Sequence, residues 1–516
     1  MISTNNYNRL ENWVNQCLSR GKFSFSLNEI KDAFPNDTSI TMKFGLNRLV
    51  QKEKVVSIFK GYYVIIPPQY SSKGILPPAM FIDGLMKFLE RKYYVALLNA
   101  AALHGSSHQQ PQEYFIVTSY PVLRATVKKE IKINYISTRQ LPPDTLTEKK
   151  KTETGYINVS NPLLTAIDLI SYEKKVGGLN RVSTVINELL ETVKRNDVNE
   201  ELINYASVSS LQRFGFVLDE ILNKKEIADK IFSLCKKAGI KFYLIPLKAS
   251  GKKNKEVLNE KWKLMITEMK PFPPAPGQKK NPKLLMKSIR RTNFWQTGSL
   301  RQLKNNHCRN KLTNDRYSED IDLVQIKAGS IGKVIDHIRE ALSFLGKAKV
   351  EAGETMATMK FRFDSEFPPI VSLRLKIETN CREHFTVLGW EKKPFEVKSS
   401  WFNGECNLIT YKLEELLGTK LRALYQRRKG RDLYDLWKAL TTSNLNPDLL
   451  IKCYKEYMNF SLEKPIPSKK EFLMNIEAKK IDTDFLGDTT ALLRPDEKYN
   501  HEDAFKIVID TLIERM

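Results

Sequence analysis

Five prolines fall within twelve residues, Pro271 to Pro282, and they divide the chain more firmly than any other feature. Proline fixes φ and removes a backbone donor, so this stretch admits neither helix nor sheet and favours an extended, stiff spacer. At 516 residues the chain exceeds what one core supports, and several domains are expected. The spacing predicts four segments: 1–70, 71–270, a proline-rich basic junction at 271–304, and 305–516. The fold class expected is α+β.

Charge follows the same division. The chain carries a net +24. Between Lys270 and Arg316 stand twelve Lys/Arg and one acid, so nearly half the excess sits at the junction. A basic block of that kind is more often a solvated linker than a docking surface. Six cysteines are scattered without a close pair, which reads as reduced thiols rather than a zinc site. No apolar run approaches the roughly 18–20 residues that span a bilayer. No secretory signal is evident either, so no membrane partner and a cytoplasmic protein are expected.

Residues 6–66 predict three helices and a hairpin. Leu10, Trp13, Val14 and Cys17 recur at helical spacing up to Ser19, and Ser26 with Glu29 forms a capping box for a short helix through Phe34. A third helix carries Ile40, Phe44, Leu46, Leu49 and Val50. Two strands, Val55–Phe59 and Tyr62–Ile66, flank Lys60-Gly61. This order is that of a winged helix, whose third helix would enter the major groove. Ser39, Thr41, Lys43, Asn47 and Arg48, with Lys60 at the wing tip, would share one face and contact DNA. The alternative is a three-helix interaction module with the same core.

Residues 74–270 read as an α/β region, with a helix around Phe81–Leu98, a strand Tyr114–Val117 and a helix Asn161–Glu173 opened by Pro162. His104 and His108 read as polar helix-end residues, because no Cys or acid pattern completes a metal site.

The second half holds the chemistry. Asp320 and Asp322 stand two apart in Arg316–Leu323, so on a strand both would point one way while Ile321 and Leu323 face a core. Paired carboxylates suit Mg²⁺, which takes oxygen ligands. Lys376 and Glu378 share a face of a later alternating strand, where a third carboxylate can complete a phosphoryl-transfer cage. Leu413, Leu417, Leu421 and Leu424 then form a helical stripe that leaves Lys420 free to face a cleft. Asp432 and Asp435 follow, one turn apart.

Arg316–Leu323, Lys376-Ile377-Glu378, Leu416–Leu421 and Arg431–Leu436, in this order, resemble the motifs of the AbiEii/AbiGii nucleotidyltransferase toxins over roughly residues 305–516. The helix–wing pattern, with Tyr93–Leu98 and Ala101-Ala102-Leu103-His104-Gly105, resembles AbiEi, a winged-helix antitoxin, over about 1–268. The resemblance implies a fused type IV toxin–antitoxin protein of phage abortive infection. It also implies DNA binding to operator inverted repeats, with oligomeric state left open. Asp320 and Asp322 would hold Mg²⁺ against an NTP, with GTP favoured. Glu378 would complete the metal site or act as base, Lys420 would neutralise the triphosphate, and Asp432 would orient a cation or the lysine. Ser318, Lys376, Arg431 and Asp435 would line the nucleotide. The acceptor implied is RNA, with transfer-RNA 3′ ends the leading candidate.

One departure stands out. The family places a glycine turn just before the acidic pair, where backbone amides approach phosphates. Here Gly298-Ser299 lies 22 and 21 residues before Asp320, and on another alignment Asn305-Asn306-His307 occupies that place. A DNA-binding regulator with an inactive transferase half is therefore the alternative.

Overall fold

The computed structural model describes residues 5–71, 74–106, 111–191, 193–247, 256–267, 320–353, 355–365, 370–398, 403–461, 466–490, 492–493 and 497–516. The proline-rich junction, Gly298-Ser299, Asn305–His307, Ser318 and His108 lie outside them.

The first elements are α1 (Asn5–Ser19), β1 (Ser24–Ser26), α2 (Leu27–Ala33), α3 (Ser39–Gln51), β2 (Val55–Phe59) and β3 (Tyr62–Ile65), with sheet order β1-β3-β2. The capping box is present: Glu29 N–H donates to Ser26 Oγ at 3.2 Å, and Ser26 N–H to Glu29 Oε2 at 2.7 Å. Thr38 caps α3. Leu10, Val14, Phe25, Ile30, Met42, Leu46 and Leu49 close one small core. Ile40 and Phe44, read as part of the apolar pattern of α3, are instead 68% and 66% exposed. At about 100° per residue they fall on the side opposite Met42, Leu46 and Leu49.

Next come α4 (Ile82–Phe88), β4 (Tyr93–Val95), α5 (Leu97–Leu103), β5 (Glu113–Ser119), β6 (Thr126–Lys128), β7 (Ile131–Thr138), β8 (Thr147–Thr152), β9 (Gly155–Ser160), α6 (Pro162–Ser171) and α7 (Leu179–Leu189). The single helix expected over Phe81–Leu98 is corrected to helix, strand, helix. Tyr93-Tyr94-Val95 is wholly buried and pairs with β5 on one side and β9 on the other. Aromatic and β-branched side chains fit that doubly covered position better than a helix. The six-stranded mixed sheet runs β6-β7-β5-β4-β9-β8. Val56, Ile58, Tyr62 and Val64 of the hairpin share a core with Tyr93, Ile116, Ile133 and Ile157, so the hairpin packs directly on this sheet. Pro162 opens α6 under an Asn161 cap, and His104 caps the end of α5 with its ring against Ser160 O at 2.7 Å.

Beyond the junction lie β10 (Asp320–Val324), α8 (Gly332–Ala341), β11 (Lys349–Ala352), β12 (Met356–Asp364), β13 (Ser372–Asn380), and the paired β14 (Trp390–Lys398) and β15 (Asn403–Tyr411). Helices α9 (Leu413–Gln426), α10 (Gly430–Thr442), α11 (Pro447–Ser461), α12 (Lys469–Lys480), α13 (Thr483–Gly487) and α14 (His501–Val508) follow. The sheet order is β10-β13-β12-β11, with β10 and β13 parallel. Ile335, Ala357, Met359, Phe361 and Ile377 form its core, and Ile321, Leu323 and Leu375 pack on it as the alternation requires. The helices bury Leu416, Leu417, Leu421, Leu433, Tyr454 and Phe472 together. Gly418 lets α9 and α11 cross closely: a Cβ there would stand 2.7 Å from Cys453 Cβ and 2.9 Å from Tyr454 N.

Asp168 of α6 lies buried with Tyr94 Oη donating to it at 3.1 Å. Burial raises its pKa to about 7, against the opposing pull of the Tyr94 hydrogen bond. The folded state therefore takes up a proton between the ordinary carboxylate pKa and about 7, and its stability falls as pH rises through that window. Urea denaturation of Asp168→Asn is expected to show a weaker loss of stability from pH 5 to pH 8 than the parent, the difference reaching at most about 3 kcal/mol.

Candidate active site

Parallel pairing of β10 with β13 sets Asp320 opposite Lys376 and Asp322 opposite Glu378. In-register residues of neighbouring strands project to the same side, so two strands far apart in sequence bring two carboxylates together. Asp322 is 7% exposed and Glu378 8%. The Lys376 ammonium sits 2.5 Å from Glu378 Oε1. The backbone of Asp320 belongs to β10, while its side chain, like all of Ser318, lies outside the described residues. The oxygen donors of Asp322 and Glu378 fit the chemistry of a divalent cation such as Mg²⁺. Among the described residues no group of three His, Cys, Asp or Glu side chains is assembled for one.

The helices supply a second group. Lys420 of α9 contacts Asp432 Oδ1 at 3.3 Å and Asp435 Oδ2 at 3.2 Å. The structure thus places Lys420 in a buried ion network, not on the open cleft expected of it. Asp432 is fully buried and receives two hydrogen bonds of 2.6 Å from the Arg427 guanidinium. Arg431 grips Asp488 with two side-chain hydrogen bonds, 3.0 and 2.9 Å, and a backbone N–H at 3.1 Å. Burial disfavours the Asp432 carboxylate, yet the Arg427 and Lys420 charges outweigh it and hold its pKa below the usual range. The same balance, with Arg431 as the cation, lowers Asp488 strongly. Burial, then the neighbouring Arg431 and Arg427, brings Lys429 down to about 7.

Buried contacts tie the sheet to these helices. Arg422 of α9 pairs with Glu383, just past β13, at 2.7 and 3.4 Å. Glu415, wholly buried at the start of α9, accepts from Val387 N–H, Leu388 N–H, the Thr386 hydroxyl and the Tyr457 hydroxyl, all within 2.9 Å. Sequence reasoning missed Arg427, Asp488, Glu383, Arg422 and Glu415. A signal existed for Arg427, an arginine five residues before Asp432; Asp488 is 57 residues from Arg431 and left none.

In the N-terminal module Ser39, Thr41, Lys43, Asn47, Arg48 and Lys60 are all exposed. They do not form one polar face. Ser39, Lys43 and Asn47 line one edge of the outer surface of α3 and Thr41 and Arg48 the other, with exposed Ile40 and Phe44 between them.

The model of the AbiEii nucleotidyl transferase toxin family, of type IV toxin–antitoxin systems, matches residues 310–507, and that of the AbiEi antitoxin C-terminal domain matches residues 94–220. The chain thus joins an AbiEi antitoxin C-terminal domain to an AbiEii toxin domain. The antitoxin match covers β4 to α7 and beyond, and the toxin match covers the acid-bearing sheet and the helices behind it. No curated protein matches the chain. Similar solved structures include the RV2827C protein from Mycobacterium tuberculosis, at 13% identity and TM-score 0.38 over 49% of this chain and 89% of that one. JHP933 from Helicobacter pylori is similar at 16% identity and TM-score 0.25, over 46% and 94%.

Replacing Asp432 by Asn leaves Arg427 and Lys420 buried without their shared counter-charge. A loss of about 3–5 kcal/mol in urea denaturation at pH 7 is expected. Because the folded pKa of Asp432 is depressed, that stabilisation is present above the ordinary carboxylate pKa and is lost as pH falls through the lower folded value, so the gap between parent and variant narrows in acid.

Proposed function

We propose that the toxin half transfers a nucleoside monophosphate from an NTP, with GTP favoured, to an RNA acceptor, with transfer-RNA 3′ ends the leading candidate. The observation that carries this reading is the buried pair Asp322 and Glu378, set in register by parallel strands with Lys376 beside them. When bound, Mg²⁺ supplies charge neutralisation at the phosphates. Asp322, with Asp320, would hold it, and Glu378 would complete the set or accept the proton of the attacking hydroxyl. Lys376 offers a cation beside that carboxylate. Lys420, held in the buried network with Asp432 and Asp435, would lend its positive charge to the triphosphate from within that network. Asp432, Asp435 and Arg431 position the helices around it. Catalysis by positioning and fixed charge asks little else of the protein.

The displaced glycine turn favours a second reading, a regulator whose transferase half is inactive. Incubation of the purified chain with labelled NTPs, Mg²⁺ and total RNA separates the two. Labelled RNA that disappears with Asp322→Asn is expected; the absence of label with every NTP would leave the regulator.

The antitoxin half is proposed to bind operator DNA with inverted repeats through α3 and the β2–β3 hairpin, in the cytoplasm. Lys43 and Arg48, on opposite edges of α3, would contact phosphates, and Lys60 would do so from the wing. Neutralising Lys43 and Arg48 together is expected to weaken binding to the chain's own promoter. The slope of log affinity against log salt should fall by about 1 for each phosphate no longer neutralised. Unchanged affinity and slope in gel-shift titrations would remove the recognition-helix assignment.

A further inference from the structure

Two arginines of the toxin half are held by two glutamates of the antitoxin half. Arg374 of β13 stands 3.5 Å from Glu188 and 3.4 Å from Glu191, the first on α7 and the second just past its end. Arg362 of β12, the register partner of Arg374, also bonds Glu191. Alternation places Arg374, Lys376 and Glu378 on one face of β13, opposite Leu375 and Ile377, which pack on the core. The antitoxin acids therefore sit on the same sheet face as the candidate catalytic carboxylate. Other contacts hold them there. Arg181 of α7 donates to Thr490 O at 3.1 Å, and Gly178, at φ +83°, lies so close to Asp484 that a Cβ would stand 2.6 Å from its Oδ1.

The Arg374 contacts are loose for charges so deeply placed. Its side chain is 14% exposed, both distances exceed those of charge-assisted hydrogen bonds, and its Nε has no hydrogen-bond partner among the described residues. A phosphodiester presents two oxygens that match a guanidinium fork, and would satisfy Arg374 better than the glutamates do. Arg374 lies four residue steps along the strand from Glu378, about 13 Å. A polynucleotide acceptor reacting at the acids reaches that distance with a neighbouring nucleotide.

We propose that Arg362 and Arg374 form a subsite for the backbone phosphates of the RNA acceptor, and that Glu188 and Glu191 occupy it, so that the antitoxin half competes with RNA for the toxin half. The identity of the acceptor rests on the transferase reading above; competition for the arginines does not require turnover.

The test uses the full chain and a labelled single-stranded RNA oligonucleotide read by fluorescence anisotropy. Glu188→Gln with Glu191→Gln is expected to tighten RNA binding about tenfold. Glu191→Gln alone, at a half-exposed position, is expected to give a smaller gain of the same sign. Adding Arg362→Gln and Arg374→Gln should erase both gains. Affinity for a non-hydrolysable GTP analogue should stay constant throughout. RNA affinity unchanged in both glutamine variants, a gain that survives removal of the arginines, or a gain confined to the nucleotide would each overturn the proposal. Tighter RNA binding without labelling of RNA by NTP would uphold the subsite and count against the transferase reading. Labelling with unaltered RNA affinity would do the reverse.

Discussion

The toxin half depends on one fully buried carboxylate. Asp432 lies on a helix with no access to water, and an isolated ion there would be costly. Arg427 answers it from the turn between α9 and α10, and Lys420 answers it from inside α9. These pairs fix the angle between two helices that the apolar stripe alone would leave free to slide. Arg431 and Asp488 then attach the far end of the bundle to the start of α10, where Gly430 admits Phe485 O so closely that a Cβ would meet it at 2.1 Å. Charge matching and close packing thus reinforce each other at a single joint.

That joint reaches the sheet through Arg422 with Glu383 and through Glu415 with the loop at 386–388. Glu383 lies five residues beyond Glu378 on the same chain segment, so the clamp on α9 also fixes the end of the strand that carries the candidate base. The antitoxin half meets the other end of that strand through Arg374. Strand β13 is therefore held at both ends, by the toxin's own helices and by two glutamates at the end of α7. This coupling gives a fused chain something that two separate proteins lack: the antitoxin acids remain at high effective concentration beside the toxin's sheet.

Much of this was legible in the chain. The capping box at Ser26, the alternation around Asp322 and the stripe on α9 each rest on local chemistry, and each appears in the structure. Three kinds of feature were not legible. Tyr93–Val95 reads as helix by its neighbours and becomes a strand because two distant strands flank it. Ile40 and Phe44 fit an apolar pattern by composition, but their angular position on α3 turns them to solvent. Lys420 has an open side by periodicity, and acids from the next helix close it. For the strand and the lysine, residues remote in sequence or on another element decided the outcome. The glutamate–arginine contacts between the halves, such as Arg362 with Glu191 across 171 residues, left no sequence trace for the same reason.

Asp322 and Glu378, as the proposed centre at which metal and nucleotide meet, carry the functional reading. Manganese binding followed by electron paramagnetic resonance, with a non-hydrolysable GTP analogue present, tests that centre without relying on turnover. The full chain is expected to bind the ion, and Asp322→Asn to weaken that binding by at least about tenfold, since removal of a direct ligand should cost no less than removal of an outer partner. Equal manganese affinity in parent and variant would contradict the assignment.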